Sequence, residues 1–300
     1  MNHQHNAANG GGDSWAGSDE LNLDGRGLAT LPAGIARLTR LRTLSLYDNA
    51  LVRLPKSVWD LDQLVTLNVS ANQLTRIDEA IGRLASLQML DLGHNRLTAL
   101  PVNLGALKEL AFLYASNNRL TALPDTLRTC RRLAYLNVAD NRLSDLPNWI
   151  GELIALTELR VYGNRLAGLP EPIGRLTGLR ELHAMKNGLE RLPESISGLG
   201  GLRRLDLEGN RLTQLPEAFG GLTGLTDLNL RFNQLATLPE SIGALENLRF
   251  LDLRANCLTS LPEGLAKLRR LEKLDLRWNR LRTKPGWLTR LEARGCVVYA

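Results

Sequence analysis

Residues 87–95 read L-Q-M-L-D-L-G-H-N, and residues 96–101 continue R-L-T-A-L-P. Within this stretch Leu90 and Leu92 flank a polar residue, which is the period-2 alternation of a half-buried β-strand. The two leucines are therefore predicted to point into a core, while Met89 and Asp91 point outward. An asparagine follows the strand, and a Leu-Pro step then favours an extended corner, because proline disfavours the α region for the residue before it.

This pattern repeats along the chain with a period of 23 residues. Asparagine occupies positions 49, 72, 95, 118, 141, 164, 187, 210, 233, 256 and 279. Leucine keeps the same period from Leu21 to Leu274, and proline keeps it from Pro32 to Pro285, with Asp78 at the one position that lacks proline. A unit of this size cannot bury its own leucines, so successive units must stack and pair their strands in parallel.

The repeated unit matches the template L-x-x-L-x-L-x-x-N-x-L, and the chain resembles leucine-rich-repeat proteins over residues 21–300. Its second half, as in residues 238–245 (L-P-E-S-I-G-A-L), is similar to the L-P-x-x-I-G-x-L variant of the Ras-signalling scaffold group and its bacterial relatives. The resemblance implies an α/β leucine-rich-repeat solenoid, a right-handed horseshoe with a parallel β-sheet on the concave face and short helical or 3₁₀ turns on the convex face. It also implies that each asparagine hydrogen-bonds the backbone of its own and neighbouring turns.

Three regions are expected from the repeat. Residues 1–20 are predicted to be a disordered polar tail, with Trp15 folding back over the first repeat as the alternative. Residues 21–282 are predicted to form a solenoid of twelve units. Residues 283–300 are predicted to form a short C-terminal cap with a final strand at Val297 and Tyr299, where the 23-residue period would place it.

Composition excludes several classes of protein. No window approaches the ~18 consecutive apolar residues of a membrane span, and residues 1–20 lack the basic and apolar regions of a secretory signal. Three cysteines in 300 residues cannot form a disulfide scaffold. The net charge of +6 comes from 37 basic and 31 acidic residues that alternate, which disfavours nucleic acid as a partner. We expect a cytoplasmic monomer; the alternative is a bacterial effector that a specialised system secretes into a eukaryotic host cell.

Candidate catalytic and cofactor-binding motifs are scarce. The sequence has no glycine-rich phosphate loop and no cluster of cysteine and histidine ligands. Six polar residues of three adjacent predicted strands share the concave face: Glu158, Arg160, Glu181, His183, Arg204 and Asp206. Four of them, Glu158, Glu181, His183 and Asp206, could be imagined as metal ligands. A cross-strand ladder of charge pairs is the favoured interpretation. We therefore predict a protein that is not an enzyme and has no metal or cofactor, with a metal-dependent enzyme as the alternative.

The exposed strand positions instead favour binding of a protein partner on the concave face. Met89, Phe112, Tyr114 and Tyr135 are predicted to form one patch, with Tyr162 one strand further on. Exposed aromatic residues and methionine on a rigid surface are typical of interface hot spots, although aromatic residues also stack across strands for structural reasons. The predicted partner-binding residues are these five together with Glu158, Arg160, Glu181 and His183. The function predicted is a protein-interaction module in signalling or regulation.

Basic residues also form a ladder near the C-terminus. Arg231, Arg254 and Arg277 are predicted to be neutralised by Asp206, Asp252 and Asp275, which makes a phosphate site improbable. Phe232 and Trp278 follow two of these arginines and could extend a second, smaller contact surface.

Overall fold

The structure is a computed structural model that describes residues 17–300. The chain divides into two compact units, Met1–Leu133 and Ala134–Ala300. Each is built from the same strand-and-turn repeat.

The first unit contains five short strands that alternate with five-residue 3₁₀ helices. The strands are β1 (Glu20–Asn22), β2 (Thr43–Ser45), β3 (Thr66–Asn68), β4 (Met89–Asp91) and β5 (Phe112–Tyr114). The 3₁₀ helices are Ala33–Arg37, Lys56–Asp60, Glu79–Arg83, Val102–Ala106 and Asp125–Thr129. Neighbouring strands pair in parallel, each residue opposite the one 23 positions later, as in the pair Leu67 and Leu90.

The second unit continues the repeat and ends differently. Its strands are β6 (Tyr135–Asn137), β7 (Glu158–Arg160), β8 (Glu181–His183), β9 (Arg204–Asp206), β10 (Asp227–Asn229), β11 (Phe250–Asp252), β12 (Lys273–Asp275) and β13 (Val297–Tyr299). Its 3₁₀ helices are Asn148–Glu152, Glu171–Arg175, Glu194–Gly198, Glu217–Gly221, Glu240–Ala244 and Glu263–Lys267, and one α-helix, α1 (Trp287–Ala293), precedes β13. All neighbouring strands of this unit are parallel.

Proline positions the start of the 3₁₀ helices. Pro101, for example, has φ −65° and ψ 145°, the extended conformation that its ring favours, and the helix begins at the next residue. Leu107 ends that helix by donating its backbone N–H to Leu104 O. At the exception, Asp78 has the same extended conformation and its side chain accepts a hydrogen bond from the Ala80 N–H at 2.9 Å. A carboxylate cap therefore replaces the proline.

The core lies between the strands and the 3₁₀ helices of each unit. The predicted inward positions are buried, as Leu90 and Leu92 show with no exposed surface. Leu104 and Leu107 of the following turn complete the same layer, also with no exposed surface. Each fully buried leucine contributes about 1.5–3 kcal/mol relative to an exposed one, so stacking the repeats is the main source of stability.

The repeated asparagines satisfy backbone groups that the turns would otherwise bury without partners. Asn95 is 8% exposed, and its Oδ1 accepts a hydrogen bond from the Leu74 N–H at 2.9 Å. Its Nδ2 donates to the carbonyls of Val69, Leu92 and Gly93 at 3.0, 3.2 and 3.0 Å. The same pattern recurs at Asn72 and Asn256, so hydrogen bonds from one side chain link neighbouring repeats.

The C-terminal strand departs from the predicted register by one residue. The 23-residue period would set Val297 opposite Leu274, whereas the structure pairs Val298 with Leu274. The cause is α1, which replaces the usual 3₁₀ helix and makes the last repeat one residue longer. Because a shift of one residue reverses the face of every side chain in a strand, Val297 and Tyr299 are 50% and 41% exposed.

At the other end, the described residues begin within the predicted polar tail. Glu20 is the first residue of β1, and Trp15 lies outside the described residues. None of the helices within residues 17–300 combines the length and the apolar character needed to cross a membrane.

Candidate functional site

The three-residue strands place two side chains of each repeat on the outer side of the sheet, which we call the sheet face. In β1 to β12 the central residue is a buried leucine. Its two neighbours are exposed or half-buried in most strands, as Phe112 and Tyr114 are beside Leu113, whereas Asn137, His183 and Asp275 are buried. Since the buried leucines vary little between repeats, the sheet face is where the repeats differ.

In the first unit, the sheet face holds an apolar group on β4 and β5. Met89 lies directly opposite Phe112, and Asp91 lies opposite Tyr114. Phe112 is 43% exposed, whereas Met89 and Tyr114 are half-buried. These three predicted binding residues, here called the Phe112 patch, are therefore neighbours in the structure.

A shallow depression adjoins the Phe112 patch. It is lined by Tyr47, Ser70, Ala71, Asp91, Gly93, His94, Tyr114 and Ser116. Burial raises the pKa of the Asp91 carboxyl. Hydrogen bonds from the Gly93 N–H and Ser70 and the charge of His94 lower it, but burial has the larger effect. Tyr47 was not among the predicted binding residues although it is 46% exposed. The sequence places Tyr47 directly after Leu46, at a position that the strand alternation predicts to face outward.

In the second unit, the predicted aromatic residues lie beside charged ones. The Arg160 guanidinium lies over the Tyr135 ring, 5.9 Å from its centre. Tyr162 is half-buried two residues after Arg160. The predicted continuity of Tyr135 with the Phe112 patch stays a prediction.

The charged residues of β7, β8 and β9 form a network in which contacts within a strand are shorter than those of the predicted cross-strand ladder. Arg160 Nε donates to Glu158 Oε1 at 2.5 Å. Glu181 Oε2 lies 2.9 Å from His183 Nε2 and 3.3 Å from Arg204 Nη1. Burial alone would raise the pKa of the Glu181 carboxyl, but its hydrogen bond with His183 and the positive charge of Arg204 lower it overall. The Glu181 carboxylate is thus favoured in its ionised form by its basic partners.

The same network contains the best candidate metal ligands. One atom each of Glu158, Glu181 and His183 lie within 4.8 Å of one another, and Asp206, the fourth imagined ligand, is outside this group. Both carboxylates already accept hydrogen bonds from guanidinium groups, so a cation would have to compete with two fixed positive charges. The geometry therefore fits an ion-pair network better than a metal site.

Further along the second unit, the predicted basic ladder is paired with carboxylates. Arg254 Nη2 lies 2.5 Å from Asp252 Oδ2, and Arg277 Nη2 lies 2.7 Å from Asp275 Oδ2. Arg231 pairs at 2.6 Å with Glu208 rather than with the predicted Asp206. Burial would raise the pKa of Asp275, but the hydrogen bonds and charge of Arg277 lower it overall.

Known families match most of the repeats. Residues 79–187 match the family described as leucine-rich repeat region, and residues 177–235 and 236–281 match the family described as leucine rich repeat. Together with the stacked parallel strands, these matches decide the assignment. The chain is a leucine-rich-repeat protein.

Solved structures agree with that fold. A leucine-rich-repeat protein of Leptospira interrogans is 26% identical, with 97% of each chain covered and a TM-score of 0.57. The functional domain of InlJ from Listeria monocytogenes is 22% identical over 96% of this chain and 64% of its own, with a TM-score of 0.76, and shows the fold alone. No curated protein matches the sequence.

One further solved structure contains a bound ligand. The plant peptide hormone receptor RGFR1, in complex with RGF2, is 27% identical, with 83% of this chain and 50% of the receptor chain covered and a TM-score of 0.57. This leucine-rich-repeat protein thus spans half of that receptor chain. These similarities support a protein–protein interaction module.

Proposed function

We propose that this leucine-rich-repeat protein is a non-enzymatic module that binds a protein partner on its sheet face, in a signalling or regulatory role. The observation that carries the proposal is the Phe112 patch, where a 43% exposed phenylalanine adjoins a half-buried methionine and a half-buried tyrosine. Large aromatic side chains that lie at the centre of an interface supply most of its binding energy.

The Phe112 patch is also rigid, which favours its use as a binding surface. Phe112 and Tyr114 are held by the buried Leu113 between them and by parallel pairing of β5 with β4. Fixed side chains lose little conformational entropy on association, so more of the contact energy appears as affinity. The polar residues of the adjoining depression, including His94 and Ser116, offer hydrogen bonds around the apolar centre.

The similarity to the RGFR1–RGF2 complex supports a polypeptide ligand, because that receptor carries a peptide hormone. The proposal includes the remaining predicted partner-binding residues: Tyr135, Glu158, Arg160, Tyr162, Glu181 and His183. In the second unit, four of them belong to the charge network described above, which would favour a partner with both basic and acidic groups: Glu158, Arg160, Glu181 and His183.

A Phe112→Glu variant tests the proposal. Phe112 is exposed, so the substitution is expected to change the thermal unfolding midpoint little, whereas a charge at the centre of an apolar contact should weaken binding at least tenfold. Proteins captured from lysate by the wild-type chain would be identified and their affinities measured with purified components.

Phe250→Glu is the matched control, because Phe250 is 37% exposed and occupies the same position of a strand in the second unit. Loss of binding by the folded Phe112→Glu protein, with binding retained by Phe250→Glu, supports the Phe112 patch. Equal binding by wild type and Phe112→Glu contradicts it.

A further inference from the structure

One left-handed backbone conformation recurs at the turn of each repeat, and in two repeats it is adopted by a large aromatic residue. The residue before each repeated asparagine has positive φ, between 51° and 66°. Most repeats place a small or polar residue there: Asp48, Ala71, His94, Asn117, Asp140, Gly163, Lys186, Gly209 and Ala255. Phe232 and Trp278 occupy the same position with φ 54° and 62°. Bulky side chains are disfavoured in this left-handed region, where glycine and asparagine are preferred.

Burial does not account for these two aromatic residues. Phe232 is 51% exposed and Trp278 is 65% exposed. Among residues 17–300, the other tryptophans, Trp59, Trp149 and Trp287, are all buried. Strained residues that gain no compensating packing are typical of binding sites.

The two rings flank a gap in the row of turns. Phe232 and Trp278 are two repeats apart, which corresponds to about 10 Å at the spacing of paired strands. Ala255 occupies the same position of the intervening repeat, and its methyl group is too small to fill the space between the rings. Two rings that extend in parallel at this backbone spacing would leave room for one apolar side chain between them.

Basic side chains lie beside the two rings, and two of them, Arg231 and Arg277, are also paired with carboxylates. The guanidinium of Arg231 lies 5.9 Å from the centre of the Phe232 ring, and that of Arg277 lies 5.7 Å from the Trp278 ring and 4.9 Å from the Tyr299 ring. Residues 273–300 contain seven basic and two acidic residues. Within residues 17–300, Arg280 and Arg282 are exposed and form no ion pair.

We propose that Phe232, Ala255 and Trp278, with the basic residues beside them, form a second docking surface for an acidic polypeptide segment that inserts one large apolar side chain between the two rings. Carboxylates of the segment would lie over Arg280 and Arg282, and the apolar side chain would cover Trp278. The carboxylates of Asp252 and Asp275 on the adjoining sheet face disfavour the continuous phosphate backbone of a nucleic acid. This surface consists of residues different from the Phe112 patch, and the inference does not depend on that patch.

The test uses peptides selected on the full chain. A library of random twelve-residue peptides is first depleted on Trp278→Gly protein and then selected on wild type, so that only peptides that need Trp278 remain. We expect the selected peptides to be enriched in aspartate and glutamate around an apolar residue. Their binding should shift the emission of Trp278, the exposed tryptophan among residues 17–300, to shorter wavelength.

Glycine variants separate recognition from folding. Trp278→Gly and Phe232→Gly remove the rings at positive φ, so their unfolding midpoints should be no lower than that of wild type. A fluorescein-labelled selected peptide should bind Trp278→Gly and Phe232→Gly at least tenfold more weakly. It should bind Asn117→Gly as tightly as wild type, because Asn117 occupies the same turn position with φ 53° and lies outside this surface. Trp278→Asn supplies a second variant that tolerates this conformation.

Three outcomes would overturn the inference. Selection could yield no peptide that distinguishes wild type from Trp278→Gly, or it could yield peptides without acidic residues. Alternatively, the oligonucleotide dT12 could bind in a Trp278-dependent manner while no peptide does, which would assign the surface to nucleic acid. Retained binding of the selected peptide by Phe112→Glu would show that this surface acts independently of the proposed partner-binding patch.

Discussion

At the scale of single residues, the buried asparagine is the polar group on which each turn depends. The Asn95 side chain makes four hydrogen bonds to backbone groups of two neighbouring repeats. No other uncharged side chain of this length presents two donors and an acceptor in this geometry, so its loss leaves several buried groups unpaired.

Replacing Asn95 by alanine is therefore expected to lower the free energy of unfolding by about 3 kcal/mol, because each buried unsatisfied backbone group costs about 1–3 kcal/mol. Chemical denaturation of wild type and variant measures the change. Asn117→Gly is the control: Asn117 is exposed and has φ 53°, which glycine accepts, so its replacement should have little effect. Equal stability of Asn95→Ala and wild type would refute the structural role of the asparagine.

Cys130 is a second residue whose behaviour follows from its surroundings. Burial raises the pKa of its thiol to about 11, against the positive charge of Lys108. At pH 8 a thiol reagent should modify the half-buried Cys257 first and reach Cys130 only on unfolding. Labelling followed by mass spectrometry of the peptides checks the order, and labelling of both cysteines at one rate would contradict it.

The raised pKa of the Cys130 thiol makes the stability of the fold depend on pH. Because the folded state raises the pKa, the unfolded thiol ionises first as pH increases. The contribution of Cys130 is complete below the unfolded value, about 8.5, and falls as pH rises towards 11. Cys130→Ala should remove this part of the alkaline destabilisation.

At the scale of elements, the C-terminal helix α1 closes the second unit. Trp287, Leu288 and Leu291 are buried on one side of α1, where the helix contacts β13 and the preceding 3₁₀ helix. The Cys296 and Val297 N–H groups then bond Leu291 O and Glu272 O, which starts β13. The helix thus covers the last leucines and positions the final strand.

Leu291→Ala is expected to destabilise the protein by about 3 kcal/mol, since a 1% exposed leucine leaves a cavity when truncated. Hydrogen exchange of β12 and β13 should accelerate more than that of β7. Arg290→Ala, on the exposed side of the same helix, should leave both readouts close to wild type. Exchange that accelerates equally in all strands of the second unit would show that α1 is not a local cap.

At the scale of the whole molecule, each repeat contacts its neighbours along the sequence, so damage in one repeat should spread outward from it. Leu205 of β9 has no exposed surface and pairs with Leu182 and Leu228. In Leu205→Ala we expect hydrogen exchange to increase first in β8, β9 and β10. A uniform increase across residues 17–300 would indicate a single cooperative unit instead.

The 23-residue period by itself determined most of the backbone. Leucine, asparagine and proline recur because each repeat must present the same inward side chains, the same buried amide and the same corner to its neighbours. The parallel strands and the short turns therefore follow from the spacing, and the asparagine network follows from the resemblance to leucine-rich-repeat proteins. The outward position of the Phe112 patch follows as well, since alternate residues of a strand face opposite sides.

Only the tertiary structure decided the features that interrupt the period or depend on side-chain conformation. The register of β13 depends on α1, whose extra residue shifts Val298 opposite Leu274. Arg231 selects Glu208 as its partner because a long flexible side chain can reach several carboxylates. The positive φ of Phe232 and Trp278 is set by the turn of the repeat and overrides the local preference of an aromatic residue. The sequence predicts that both residues could form a contact surface. Their positive φ and high exposure, which only the structure shows, support that prediction.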